Sequence, residues 1–288
     1  MKIVKILGGL GNQMFQYAFY ISLRAKYPND RIKVDCSYFK GYPLHNGLEI
    51  QRIFELELEQ ASFAELTSVT WPLYNYRLYQ LGKRILPIRK THYFEMSNSN
   101  FDDNILKKEC YLDGYWQNEC YFENCRDTIR KIYHFILPLN LKNYDIKEEV
   151  KSVNSVGLHV RRGDYLKHKM YMGICEKDYY IAAIKYIRQH IDNPCFFVFS
   201  NDIEWCKGNI NNAMNDCSVK YIDWNVNEQS YIDMQLMSEC KHNIIANSSF
   251  SWWGAWLNNN PNKIIVSPKK WLNSNLKNSP QCPDWILI

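Results

Sequence analysis

The second half of this chain alternates short β-rich runs with helix-length segments, and that alternation limits the fold more than any other feature. Strands are expected at 155–160, 195–200, 219–223, 243–246 and 263–266, with helices at 177–190, 229–240 and 250–257. Strands separated by a helix's length of chain cannot close as tight hairpins. The pattern therefore reads as a parallel, doubly wound sheet. The first residues repeat the theme: 3–7 is β-rich, Gly8-Gly9-Leu10-Gly11 breaks it, 12–27 has helical spacing, and 32–35 is a second strand. From Tyr42 to Leu141 the pattern weakens into aromatic-rich helical pieces, 61–69 and 73–85, interrupted by Pro72 and Pro87. A length of 288 residues suits two domains of ordinary size. With the polar stretch 140–151 as the boundary, the expectation is an α/β chain with domains 1–145 and 146–288 facing one another across a cleft.

Charge and cysteine use narrow the function. Thirty-five Lys and Arg against thirty Asp and Glu is a formal excess of +5. That is too small to imply nucleic-acid binding, yet it fits a pocket for a small anion. Aromatic residues make up 15% of the chain, and sugar-binding clefts use such rings, although packing between helices and sheet accounts for most of them. The ten cysteines show neither a disulfide framework nor zinc spacing, which points to a reducing compartment. The opening apolar run is short and enters a glycine loop at once, unlike a signal peptide or a membrane span. The expected location is the cytoplasm, with peripheral attachment at the inner face of a membrane as the most the sequence allows.

Three clusters could carry chemistry. In Gly8-Gly9-Leu10-Gly11-Asn12-Gln13 the third glycine of a dinucleotide fingerprint is replaced by Met14. What is left is a loop whose backbone, Gly11 included, can approach a ligand, with the Asn12 amide at a helix start; a tight turn capped by Asn12 explains it equally well. In His159-Val160-Arg161-Arg162-Gly163-Asp164 two guanidinium groups follow a strand end, where ligands bind in such sheets. Strand alternation puts His159 and Arg161 on one face and Arg162 on the other. One arginine can then face a diphosphate while a carboxylate, with Asp164 the candidate, holds its neighbour. The third cluster comprises Asp233, beside the stripe Ile232-Leu236-Cys240, and Asn247-Ser248-Ser249, between a buried strand and a helix. Hydroxyls and backbone N–H groups there form an anion nest or, more simply, a helix cap. Trp252-Trp253 reads as core. Asp102-Asp103 is adjacent rather than spaced, so no metal clamp is expected, and no hydrolase elbow or P-loop is present.

Taken together and in this order, Gly8 to Ala18, His159 to Tyr165 and Asp233 to Trp256 resemble the bacterial α-1,2-fucosyltransferases, an inverting family that uses GDP-fucose. The resemblance covers essentially the whole chain. It implies a GT-B-like fold of two Rossmann-type domains, with acceptor contacts mainly from the first half and GDP-fucose in the second. Arg161 would hold the β-phosphate, His159 and Asp233 would approach the guanine, and Asn247, Ser248 and Ser249 would line the phosphates. Asn12 and Gly11 would lie near the fucose. Arg162 and Asp164 would be structural support. The implied reaction is transfer of fucose to the 2-hydroxyl of a galactose residue in a glycan, with GDP-fucose as co-substrate and neither cofactor nor metal. Related enzymes place a carboxylate shortly after the arginine motif, where this chain has Leu166-Lys167-His168-Lys169. The base is therefore open among Asp35, His45, His168 and Glu176. Another GDP-sugar donor such as GDP-mannose, or a non-catalytic carbohydrate-binding protein, are the competing readings.

Overall fold

The polar stretch expected to be a linker is a helix. In the computed structural model, which describes residues 1–95, 103–274 and 279–288, the Asn140 side chain accepts from the Asn143 amide at 2.9 Å and caps the helix Leu141–Ser152. Lys147 of that helix reaches Glu239 at 2.9 Å, and the Asn143 side chain bonds Asn225 at 2.8 Å. The helix thus belongs with the second half. The chain divides between Ile136 and Leu137, ahead of the 145/146 boundary that polarity suggested.

The first unit, Met1–Ile136, holds strands β1 (Lys2–Lys5), β2 (Ile32–Asp35), β3 (His92–Phe94) and β4 (Cys110–Asp113). They form one parallel sheet in the order β2-β1-β4-β3. The chain leaves β1 through the helix Leu10–Lys26 to β2 on one side, and β4 returns on the other. That change of direction is a topological switch point at the carboxyl ends of β1 and β4, where open parallel sheets bind ligands. Lys5 and Asp113, the last residues of these strands, form a buried ion pair extended by Tyr79 and His92.

The second unit, Leu137–Ile288, holds β5 (Ser155–Val160), β6 (Cys195–Ser200), β7 (Ser218–Ile222), β8 (His242–Ile244), β9 (Ile265–Ser267) and β10 (Ile286–Leu287). All are parallel, in the order β10-β9-β8-β5-β6-β7. Every residue of β5 is buried, as a central parallel strand requires. Val156, Leu158 and Val160 pack with Phe196 and Val198 and with Tyr180, Ala183, Ile184 and Ile187 of the helix Lys177–His190. Each buried Val, Leu, Ile or Phe among them contributes about 1.5–3 kcal/mol through burial. The order places a second switch point between β5 and β8.

Each half is therefore α/β with a parallel sheet, the Rossmann-type construction expected. Trp252 and Trp253 are fully buried in the helix Ser249–Trp256, and Trp252 donates to the Pro280 carbonyl at 2.7 Å, so the pair is core. No disulfide joins any of the ten cysteines, and among the described residues no helix is long and apolar enough to cross a membrane. Asp102 lies outside the described residues, while Asp103 pairs with Lys26 at 2.8 Å.

Candidate functional site

Two predicted segments meet at the switch point of the six-stranded sheet. Leu158 of β5 is in register with Ile244 of β8, so His159 to Arg162 and Asn247 to Ser249 leave the sheet at the same edge. The His159 ring lies 5.5 Å from that of Phe250, in the first turn of the helix Ser249–Trp256. Ser248 is the residue before this helix, and its side chain makes no capping bond. The simple cap is therefore not what its hydroxyl does, and the first-turn amides lack that partner. The Asn247 side chain donates to the Trp271 carbonyl at 3.1 Å, an anchoring role. Ser251, not singled out from sequence, bonds the carbonyls of Ala246 and Ser248, both at 3.1 Å, and so fixes the turn.

His159 is buried, and its Nδ1 has no hydrogen-bond partner among the described residues. Burial, reinforced by the Arg161 charge, pushes its pKa down to about 3, so the ring is neutral at ordinary pH. A buried polar atom left unpaired costs on the order of 1–3 kcal/mol, and a ligand able to bond it removes that cost. Arg161 lies with its guanidinium 5.5 Å from the Tyr165 ring and is only partly buried.

Arg162 is held in the protein. Its guanidinium stacks 4.0 Å from the Trp205 ring, with Asp202 at 3.4 Å and Glu176 at 3.5 Å. Asp164 was the expected partner; its side chain lies outside the described residues, and Asp202 and Glu176 are the carboxylates in place. Glu176, a candidate base, is thus an ion-pair partner on the second unit. His168 is exposed, with its ring 4.8 Å from Tyr171.

Asp233 stands in the first turn of the helix Tyr231–Glu239. Burial pushes its pKa up to about 7 against the bond from Asn225 Nδ2 to its Oδ1 at 2.8 Å, and Asp223 adds to the rise. Asn225 is itself locked by Asn143, which also accepts from the Trp224 indole at 3.0 Å. The carboxyl is therefore fixed in place but costly to ionise. It suits a ligand that supplies hydrogen-bond donors.

In the first unit the glycine loop occupies the other switch point. Gly8 has φ +107°, and a methyl group there would come within 3.0 Å of the Asn12 amide nitrogen. At Gly9 a methyl would meet the His45 ring at 3.0 Å, so His45, itself at φ 61°, packs on the loop. Both positions need glycine for close approach. Asn12 caps nothing: Gly9 precedes the helix, and Asn12 Oδ1 accepts from Gln117 Nε2 at 2.7 Å. Gln13 is spent on structure, donating to the carbonyls of Gly8 and Gly47 and accepting from the amides of Glu49 and Ile50. Gly11 is buried in the helix. Asp35 accepts from the Ser37 amide at 2.9 Å and the Tyr111 hydroxyl at 2.6 Å, so both oxygens are engaged.

Sequence reasoning missed Gln117, Glu95 and Asn225. Gln117 and Glu95 both serve the turn after β4. Glu95 Oε2 accepts from the amides of Tyr115 and Trp116 at 2.7 and 2.8 Å, pinning Trp116 at φ 55°. That turn presents Gln117 to Asn12. Asp113-Gly114 at a strand end was the available signal. Among the described residues no group of three or more His, Cys, Asp or Glu gathers as a metal site would.

Comparison with known proteins gives the family. The model of glycosyl transferase family 11 matches residues 56–288. An Escherichia coli alpha-1,2-colitosyltransferase is 35% identical, with 99% of this chain and 98% of that protein covered. The O-antigen biosynthesis glycosyltransferase WbnK of Escherichia coli is also 35% identical, covering 97% of each. Human galactoside alpha-(1,2)-fucosyltransferase 1 is 27% identical over 87% of this chain and 63% of its own length.

Proposed function

We propose that this chain, which belongs to glycosyl transferase family 11, moves fucose from GDP-fucose to the 2-hydroxyl of a galactose residue in a glycan, with inversion. The observation that carries the reading is the second-unit switch point, where Arg161 and the unpaired His159 nitrogen stand beside the uncapped helix start at Ser248. A guanidinium and free helix amides are the groups that stabilise a leaving diphosphate. Asp233, once ionised, accepts from guanine N1–H and its exocyclic amine.

In the reaction the acceptor oxygen forms a bond to fucose C1 as the bond from C1 to the phosphate oxygen breaks. The electron pair leaves with GDP. The acceptor proton goes to a base, for which Asp35 is the weakest of the four candidates because both its oxygens are occupied. Arg161 and the amides take up the charge, so we propose that transfer needs no metal. Two E. coli relatives of high coverage, one of them named for colitose transfer, favour a second reading in which the donor is GDP-colitose. Colitose is fucose without its 3-hydroxyl. A site that bonds the 3-hydroxyl discriminates by orders of magnitude, and an apolar site does not.

The test is linkage analysis of products from GDP-fucose and GDP-colitose with a panel of galactosides. A 1,2-linked fucosyl galactoside is expected, and its loss is expected in Arg161→Ala at unchanged thermal stability. Turnover retained in that variant overturns the role of Arg161. Transfer from GDP-colitose alone selects the second reading.

A further inference from the structure

The first unit carries a patch that the donor site does not use. The helix Tyr76–Ile85 buries Tyr79 and Gly82 against its own unit and leaves Leu78, Leu81 and Ile85 at 52, 53 and 67% exposure. At 100° per residue these three fall within a narrow stripe, and Ile88, 73% exposed, follows shortly past the helix end. Single exposed apolar residues are ordinary, whereas a contiguous set on one helix marks an interaction surface. Arg77 and Arg84 lie together beside the stripe, and both are exposed.

Charge identifies what covers the patch. Residues 66–94 contain Arg77, Lys83, Arg84, Arg89 and Lys90 and no Asp or Glu. Removing those five leaves thirty basic against thirty acidic residues, so this segment holds the chain's whole formal excess of +5. Arg89 is tied to the Thr70 carbonyl at 3.1 Å and stacks 4.6 Å from the Trp71 ring, which secures the chain beyond the helix. Lys83 lies over Tyr79 at 5.3 Å with its stem along the helix. A short helix with an exposed apolar stripe, a basic flank and no local acid matches a segment lying in the plane of an anionic lipid surface.

We propose that the helix Tyr76–Ile85 docks the protein on an anionic phospholipid membrane, with Leu78, Leu81, Ile85 and Ile88 entering the acyl boundary and the basic residues at headgroup level. The surface lies on the membrane rather than spanning it.

The full chain is mixed with vesicles of phosphatidylcholine alone or with phosphatidylglycerol added, and binding is read by flotation. Binding is expected only to the anionic vesicles. Arg77→Gln with Arg84→Gln should weaken it about fivefold per charge, roughly twenty-five-fold together. Leu78→Ser with Leu81→Ser and Ile85→Ser should abolish the part that survives added salt. Thermal unfolding of both variants should match the parent, because the altered side chains are exposed. Equal binding to neutral and anionic vesicles, or apolar variants that bind like the parent, overturns the proposal. So does a dimer in vesicle-free sedimentation that the serine variants dissociate, since the occupant would then be a second copy of the chain.

Discussion

Asp233→Asn should make the protein more stable and a worse binder of GDP. Burial raises the carboxyl from its ordinary value of 3.8 to about 7, so at pH 8 the native state holds a charge it resists. Three units at 1.36 kcal/mol each give about 4 kcal/mol, and partial exposure reduces this to on the order of 2–3 kcal/mol. The substituted amide keeps an Oδ1 for the Asn225 donor and removes the charge. A gain in melting temperature of roughly 5–10 °C follows at pH 8. The sign with pH is definite. Because the folded pKa lies above the unfolded one, the parent gains stability as pH falls from about 7 toward 4, and the variant lacks that gain. The difference between the two should therefore be largest at pH 8 and gone below pH 4.

GDP binding moves the other way. A carboxylate offers two acceptors to guanine, whereas the substituted amide would turn a donor of its own against guanine's donors. Loss of charge-assisted bonds costs about 1.5–3 kcal/mol, or roughly ten- to a hundredfold in affinity by calorimetry. The parent's own affinity should also fall as pH drops below about 7. A variant that melts lower at pH 8 refutes the burial cost assigned to the carboxylate, and one that binds GDP as the parent does refutes the proposed contact of Asp233 with the donor.

His159→Gln should remove a pH dependence of opposite sign. Its depressed pKa stabilises the native state above the unfolded value of about 6.5, and that stability is lost as pH falls toward 3, read by denaturant unfolding at pH 7 and pH 4. Gln117→Glu should lower kcat at unchanged GDP affinity: a carboxylate only accepts, so Asn12 must flip its amide and move the nitrogen that now lies over Gly8, whereas a purely structural role would leave kcat intact. Arg162→Ala should cost about 1 kcal/mol of stability through lost stacking on Trp205, with GDP affinity near that of the parent. Transfer should proceed at an undiminished rate in excess EDTA; a loss restored by a divalent cation overturns the metal-free proposal.

The second unit was readable because its inner strands β5, β6, β8 and β9 are buried on both faces almost throughout and their composition says so. The limits expected for Ser155–Val160, Lys177–His190 and Cys195–Ser200 coincide with those observed. Strands β3 and β4 were invisible because His92–Phe94 is only partly buried and Cys110–Asp113 ends in a charge that looks like surface. That charge is neutralised by Lys5, which lies 108 positions away in sequence, and no local window contains both. The boundary was misplaced for a related reason: the helix Leu141–Ser152 is polar, and it owes its position to amide bonds from Asn143 to residues near 225.

Local type also fails to separate work from support among the amides of the first unit. Gln13 and Gln16 stand beside Asn12 in one motif and look equally able to touch a ligand. Gln13 fills its acceptor and donor positions with backbone groups of Gly8, Gly47, Glu49 and Ile50, and Gln16 bridges the Leu7 amide to the Gly114 carbonyl. These two hold β1, β4 and the glycine loop in register with one another. Asn12 instead receives a single bond, from Gln117, and its nitrogen lies over the bare Cα of Gly8. Substituting Gln16 should therefore unfold the first unit, and substituting Asn12 should leave it folded. In this motif two amides are taken up by the scaffold and one is held by a single bond, a division that exists only in the hydrogen bonds.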